Sequence, residues 1–375
     1  MNSSPLPTPI STLTYPKEFQ QLLQEKTANF IGRKFVFSAI SDFFYRQTRG
    51  YFTIVGSPGS GKSAILAEYA TAHPHSIYYN AGIPGKNRAE DFLTSVCTQL
   101  IDKYLLDNQE TSEMIDLKSQ IQNRESHDGN WFLSLLLQKI SDKLDHRQRL
   151  VIIIDTLDAI DLTSQPPSTN LFYLPRYLSD RTYFLLARRP FVKEKSGLLI
   201  EAPSQLLNLA DYPTQNQADI QNYIHQSRLT APDLTPPEFW QQLTSHLATQ
   251  SQDNFMYLSQ MLAAILDRLH RDGNLGEISS FLSEIPSSLA AYYQNHFQRM
   301  GGDNLSGVEL AVLNVLVAVR LGLSVRKIAE RIDEDEYDVE KVLENWHEFL
   351  NTRQVDGEIC YSLYHDSFGD WLGKQ

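Results

Sequence analysis

The stretch "GSPGSGKS", Gly56 to Ser63, limits what this chain can fold into more than any other. It satisfies G-x-x-x-x-G-K-[ST] in full. The glycines let backbone N–H groups turn inward around a phosphate, and a lysine and a hydroxyl follow at fixed spacing. The flanks agree with this reading. Phe52 to Val55 reads as a short buried strand, and the segment from Lys62 has the spacing of a helix. A helix placed straight after such a loop aims its N–H groups and dipole at an anion. Gly56, Ser57, Pro58, Gly59, Ser60, Gly61, Lys62, Ser63 and Ala64 are therefore the candidate phosphate-binding residues. Lys62 would reach the β and γ phosphates, and the Ser63 hydroxyl would ligate Mg2+.

More strands follow. "SIYYN", "LVIIID" and "TYFLLA" are apolar runs of the kind found in a parallel sheet covered on both faces. They alternate with helical stretches, two or three of them before Leu144. This predicts an α/β doubly wound sheet over roughly Ala28 to Leu209. "LVIIID" ends in Asp155, which would hold the Mg2+ through water. Asp158 follows and is placed to orient water, and Asp161 reads as a surface or capping residue. A fast hydrolase usually has a second acid close behind the first, but Ala159 follows Asp158 here. "FLLARRP" ends its strand with Arg188 and Arg189, at the edge where open α/β sheets bind ligands.

Upstream, residues 1–27 read as a flexible leader rich in Pro, Ser and Thr at its start, and helical spacing flanks Ile31-Gly32-Arg33. From about residue 210 to 300 only helical periodicity is visible, opening on a capping-box pattern of Thr214 and Gln217. Residues 301–375 carry three helices. "TRQVDGEICYSLY" then places Asp356-Gly357 between two extended runs, a hairpin signal. Three helices and a hairpin predict a C-terminal winged helix after a helical domain.

Composition narrows the function. Of 375 residues, 42% are hydrophobic and 21% charged, which fits a globular protein. The net charge of −12 argues against a broad nucleic-acid footprint. Two cysteines, Cys97 and Cys360, provide neither a disulfide framework nor a zinc site and suit a reducing cytoplasm. No apolar run approaches the ~20 residues that a membrane helix needs.

The ordered set of "FIGR", the phosphate loop, "IIIDTLDA", "FLLARRP", "DIQNYI" and the closing "LYHDSFGDWL" resembles the STAND class of P-loop NTPases. This class includes NACHT and NB-ARC switch proteins. The resemblance spans roughly Asn29 to Leu372. It implies ATP and ADP as ligands with Mg2+, and nucleotide-binding, helical and winged-helix domains. Tyr364-His365-Asp366 resembles the Met-His-Asp motif, which implies that His365 contacts the β phosphate of ADP. Phe30, Ile31 and Arg33 match the linker that packs near adenine and ribose. Arg189 matches the sensor arginine, with Arg188 as the alternative. Where the family often has Gly-x-Pro, this chain has "SQDNFMYL", with no proline. The resemblance also implies effector and sensor modules, supplied by partners or by a longer protein from which this core derives.

Three functional readings follow. The first is a cytoplasmic switch that closes on ADP, opens with ATP to self-associate in a ring, and hydrolyses slowly. Lys62, Asp155, Asp158 and Arg189 would carry the chemistry. The second is a conventional ATP-hydrolysing remodelling enzyme. The third is a winged-helix regulator bound to DNA, which the acidic segment "DEDEYDVEKVLENWHEFL" disfavours.

Overall fold

The computed structural model describes residues 15–83, 85–104, 129–166, 169–191, 197–229, 236–272, 285–286, 288–319, 322–355 and 357–374. The chain divides into two compact units. The first comprises Met1–Phe30, Lys34–Val55 and Lys62–Asn208. The second comprises Ile31–Arg33, Gly56–Gly61 and Leu209–Gln375.

The first unit is built on parallel strands β1 (Gly50–Val55), β2 (Ile77–Asn80), β3 (Leu150–Asp155), β4 (Thr182–Arg188) and β5 (Ser204–Asn208), in the order β2-β3-β4-β1-β5. Every residue of β1 to β4 is buried, as their unbroken apolar runs require. Register sets Asn80 opposite Asp155 and Val55 opposite Arg188. The same C-terminal edge of the sheet thus gathers the polar ends of β2, β3 and β4. β1 begins two residues before the predicted Phe52. β5 was not anticipated: it is an edge strand whose first three positions are exposed, so it lacks a periodic apolar signal.

Helices α1 (Lys17–Thr27), α2 (Lys34–Arg46), α3 (Lys62–Ala72), α4 (Ala89–Tyr104) and α5 (Gly129–Lys143) complete this unit. The leader drawn to residue 27 is too long. Phe19, Leu22 and Leu23 give α1 one apolar face and are buried, and the Tyr15 hydroxyl donates to the Ala70 carbonyl at 2.9 Å. The N-terminal part of the predicted leader lies outside the described residues, as do residues 105–128, where one of the helical stretches was expected.

The second unit begins with helices α6 (Pro213–Arg228), α7 (Pro237–Gln250), α8 (Phe255–Asp272) and α9 (Leu289–Arg299). The Thr214 capping box is a correction. Pro213 occupies the first turn, and no side chain caps this helix end. Proline's fixed φ starts a helix at that position without a cap. Helices α10 (Gly307–Ala318), α11 (Val325–Ile332) and α12 (Glu336–Asn345) follow, with strands β6 (Leu323–Ser324), β7 (Leu350–Val355) and β8 (Glu358–Leu363) and a last helix, α13 (Asp366–Leu372). The strands form an antiparallel sheet in the order β6-β8-β7. Gly357, at φ 85°, makes the turn of the predicted hairpin, while Asp356 lies outside the described residues. Of these helices, α12 ends at Asn345. There Trp346 turns inward, and its indole N–H donates to the Met300 carbonyl at 2.9 Å. Val312, Leu316, Ile328, Val339, Leu343 and Phe368 lie in one buried cluster that extends back to Ile220 and Leu243.

Candidate nucleotide site

Asp155 sits at the end of β3 and is 1% exposed. Protein donors meet both of its carboxylate oxygens. Oδ1 accepts the Ser63 hydroxyl at 3.0 Å and the Thr156 N–H at 2.8 Å. Oδ2 accepts Asn80 Nδ2 at 2.9 Å and the Tyr78 hydroxyl at 3.4 Å. Burial raises the Asp155 pKa. The Ser63 and Thr156 hydrogen bonds oppose the rise, with help from the charges of Lys26 and Lys62. The cage reduces the cost of keeping this acid ionised in a dry position. The Ser63–Asp155 pairing also places a hydroxyl beside a carboxylate, the hard oxygen donors suited to Mg2+. Ser63 and Asp155 would hold that ion, which when bound would neutralise phosphate charge. Among the described residues no group of three or more His, Cys, Asp or Glu is placed to hold a metal ion.

Asp158 follows in a 3-10 turn, Leu157–Ala159, entered through left-handed Thr156 at φ 56°. Arg188 Nε lies 3.6 Å from Asp158 Oδ1, and the Arg189 backbone N–H donates to Oδ2 at 2.6 Å. Arg188 is buried, and its guanidinium stacks 4.3 Å from the Phe191 ring. The side chain that reaches Asp158 therefore belongs to Arg188, while Arg189 contributes a backbone donor. Asp161 accepts the Thr163 N–H at 2.9 Å and caps the next short turn, as expected.

The phosphate loop joins β1 to α3. Within it Gly59 and Gly61 adopt left-handed φ of 81° and 90°, and the Ser60 N–H closes a turn on the Ser57 carbonyl at 3.2 Å. The Ser60 hydroxyl is buried with no hydrogen-bond partner among the described residues, a donor that a phosphate oxygen could accept from. The fit to a phosphate ligand is therefore good.

Phe30 and Ile31 are half-buried, and Phe30 packs edge-on to Phe37 at 5.9 Å. Arg33 is deeper, at 3% exposure and φ 58°. Its guanidinium donates to the Ser60 carbonyl at 2.6 Å and to Asn216 Oδ1. Its backbone N–H donates to Asp219 Oδ2 at 2.9 Å. Burial lowers the Arg33 pKa, and the charges of Asp219 and Asp253 oppose the shift. His365 immediately precedes α13, and its carbonyl accepts the Phe368 N–H at 3.0 Å. Sequence reading missed Asn80, Tyr78, Asn216 and Asp219. Asn80 ends an apolar strand just before Ala81-Gly82, the one hint it offered.

A family match covers the phosphate loop and Asp155. Residues 29–185 match the family model described as AAA ATPase domain. That region is similar to a P-loop class that binds ATP, on a parallel α/β sheet with flanking helices. No curated protein matches the chain. Among solved structures, a single-substitution variant of Thermotoga maritima RuvB is 12% identical, with 91% of this chain and 96% of that chain covered and a TM-score of 0.38. A Drosophila ORC structure bound to DNA is 13% identical, with 95% and 99% covered and a TM-score of 0.37.

Proposed function

We propose that the chain is an adenine-nucleotide-held switch of the STAND type that hydrolyses ATP slowly. One observation carries the reading: Ser63, which follows the phosphate-loop lysine, is paired with the strand-end Asp155 at 3.0 Å. This is the arrangement that a P-loop protein uses to hold Mg2+ against the phosphates. In this reading residues 28–209 are the nucleotide domain, 210–300 the helical domain and 301–375 a winged helix. Phe30 and Ile31 would lie near the base, and Lys62 would bind the β and γ phosphates. His365 would donate to the β phosphate of ADP, a bond strengthened when the imidazole is protonated. ADP would keep the domains closed, and ATP would release them to self-associate. The reading places the protein in the cytoplasm, with effector and sensor modules as its partners.

Slow hydrolysis rests on Asp158. Both of its oxygens face cationic or N–H groups of Arg188 and Arg189, and Ala159 follows where a second acid would assist. Arg188, whose side chain is engaged there, competes with Arg189 for the sensor role. The match to the AAA ATPase domain model over 29–185 favours a second reading, a remodelling hydrolase. It requires an acid free to position water, which this geometry disfavours. Duplex DNA binding is disfavoured by the acidic run around α12.

Nucleotide release from the full chain tests the switch. His365→Ala is expected to release ADP faster than wild type and to self-associate more readily with ATP. A His365→Ala protein that retains ADP and stays monomeric as wild type does would end this reading.

A further inference from the structure

Three consecutive carbonyls of the phosphate loop are tied by residues distant in sequence. Asn254 Nδ2 donates to the Pro58 carbonyl at 3.0 Å. The Phe255 backbone N–H donates to the Gly59 carbonyl at 2.9 Å. Arg33 donates to the Ser60 carbonyl at 2.6 Å. In a trans peptide the N–H points opposite to the carbonyl of the same plane. Fixing the carbonyls of Pro58 and Ser60 therefore fixes the N–H groups of Gly59 and Gly61 on the other side.

The tether is itself rigid. Asn254 is 6% exposed, and its Oδ1 accepts the Tyr257 N–H at 2.9 Å, capping α8. Its own N–H donates to the Ser251 carbonyl at 2.8 Å. The two residues between, Gln252 and Asp253, both adopt left-handed φ, 47° and 61°. Two such non-glycine residues in a row cost energy, and backbone strain of this kind gathers at functional sites. Gly59 occupies a position that the phosphate-loop motif leaves free. A Cβ there would overlap the Asn254 amide, so glycine is needed for this approach. Arg33 is held by Asn216 and Asp219, and its guanidinium lies 4.5 Å from the Phe255 ring centroid.

We propose that Asn254 is a positioning residue for nucleotide binding: with Arg33 and the Phe255 N–H, it holds the phosphate loop in the shape that receives a nucleoside diphosphate. This rests on the nucleotide reading above. It assigns to "SQDNFMYL" a grip on the loop that holds the phosphates.

The test is Mg-ADP titration of the full chain beside thermal melting without nucleotide. Asn254→Asp keeps the size and the capping oxygen but loses the donor and sets a carboxylate against the Pro58 carbonyl. The expected result is an ADP dissociation constant raised about tenfold, with a lower nucleotide-free melting temperature because the new charge is buried. Asn254→Ser also keeps a capping oxygen and carries the test if the carboxylate lowers the melting point. Arg33→Lys, which loses the forked donor, is expected to weaken ADP likewise. Wild-type affinity in both Asn254→Asp and Asn254→Ser overturns the inference, as does a drop in melting temperature with unchanged affinity. Wild type that binds no Mg-ADP overturns the nucleotide reading itself, and the inference with it.

Discussion

Asp155 and the phosphate loop are each held by a set of hydrogen-bond donors, in two different ways. Around Asp155 the neighbours Asn80, Tyr78, Ser63 and Thr156 all donate to one buried acid. They lie within the first unit, and their task is to make a charge tolerable in a dry sheet. Around the loop, Asn254, Phe255 and Arg33 donate to three neutral carbonyls. They lie in the second unit with Gly56–Gly61, and their task is to fix a shape. A buried charge left short of partners destabilises the fold, whereas the carbonyls of half-buried Pro58 and Gly59 can turn to water. The first environment should therefore be read out in stability and the second in affinity.

Lys62→Ala sets the scale and should give the largest effect. Loss of a charged phosphate donor is expected to weaken Mg-ADP binding about 10- to 100-fold, measured by titration, with little change in the melting temperature without nucleotide. Asn80→Ala should do the reverse. It strips one donor from a fully buried carboxylate and is expected to cost about 1–3 kcal/mol of stability, measured by denaturant unfolding. A stable Asn80→Ala protein with weakened ADP would break the contrast between the two environments.

A third prediction concerns acid stability. His296 packs against Tyr292, Phe349 and Tyr364, with ring centroids at 4.0, 5.1 and 5.4 Å. Burial, helped by Arg299, lowers its pKa to about 4. The folded protein thus keeps this imidazole neutral while the unfolded chain takes up a proton below about 6.5. Stability from His296 is present above that value and is lost as pH falls towards 4. Melting curves between pH 7 and 4 should show the loss, and His296→Phe should flatten it. An unchanged slope in that variant would remove His296 from the account.

The smallest effect is expected at Asp158. Removing a competent general base costs a hydrolase roughly 100- to 10,000-fold. Here Asp158 is already bound by Arg188 and the Arg189 N–H. Asp158→Asn should slow single-turnover ATP hydrolysis by less than about tenfold, a ratio within the reach of quench-flow measurement. A loss in the hundreds would place catalysis on Asp158 and favour the remodelling reading.

What the sequence made legible follows the same division. β1, β2, β3 and β4 announced themselves because a strand buried on both faces has to be apolar throughout. The phosphate loop and Asp155 were visible because each motif is local, its residues a few positions apart. β5 was silent because an edge strand needs no apolar run. The two-residue β6 was silent because it is too short to carry a pattern. The partners of the site were hidden for another reason: Asn80 lies 75 positions from Asp155, and Asn254 lies 196 from Pro58. Neither pairing leaves a periodic or spaced trace, since only the folded chain brings the residues together. Thr214 shows the opposite failure, a local capping pattern overridden by Pro213 one residue earlier.

In the proposed switch, nucleotide is held rather than consumed. This is tested most directly by the nucleotide content of the full chain as purified, measured by chromatography of the denatured protein together with its ATP turnover. The account predicts close to one ADP per chain, absent from Lys62→Ala, and turnover well below the ~1–100 s⁻¹ of kinases. Nucleotide-free protein that hydrolyses ATP within that range would contradict it.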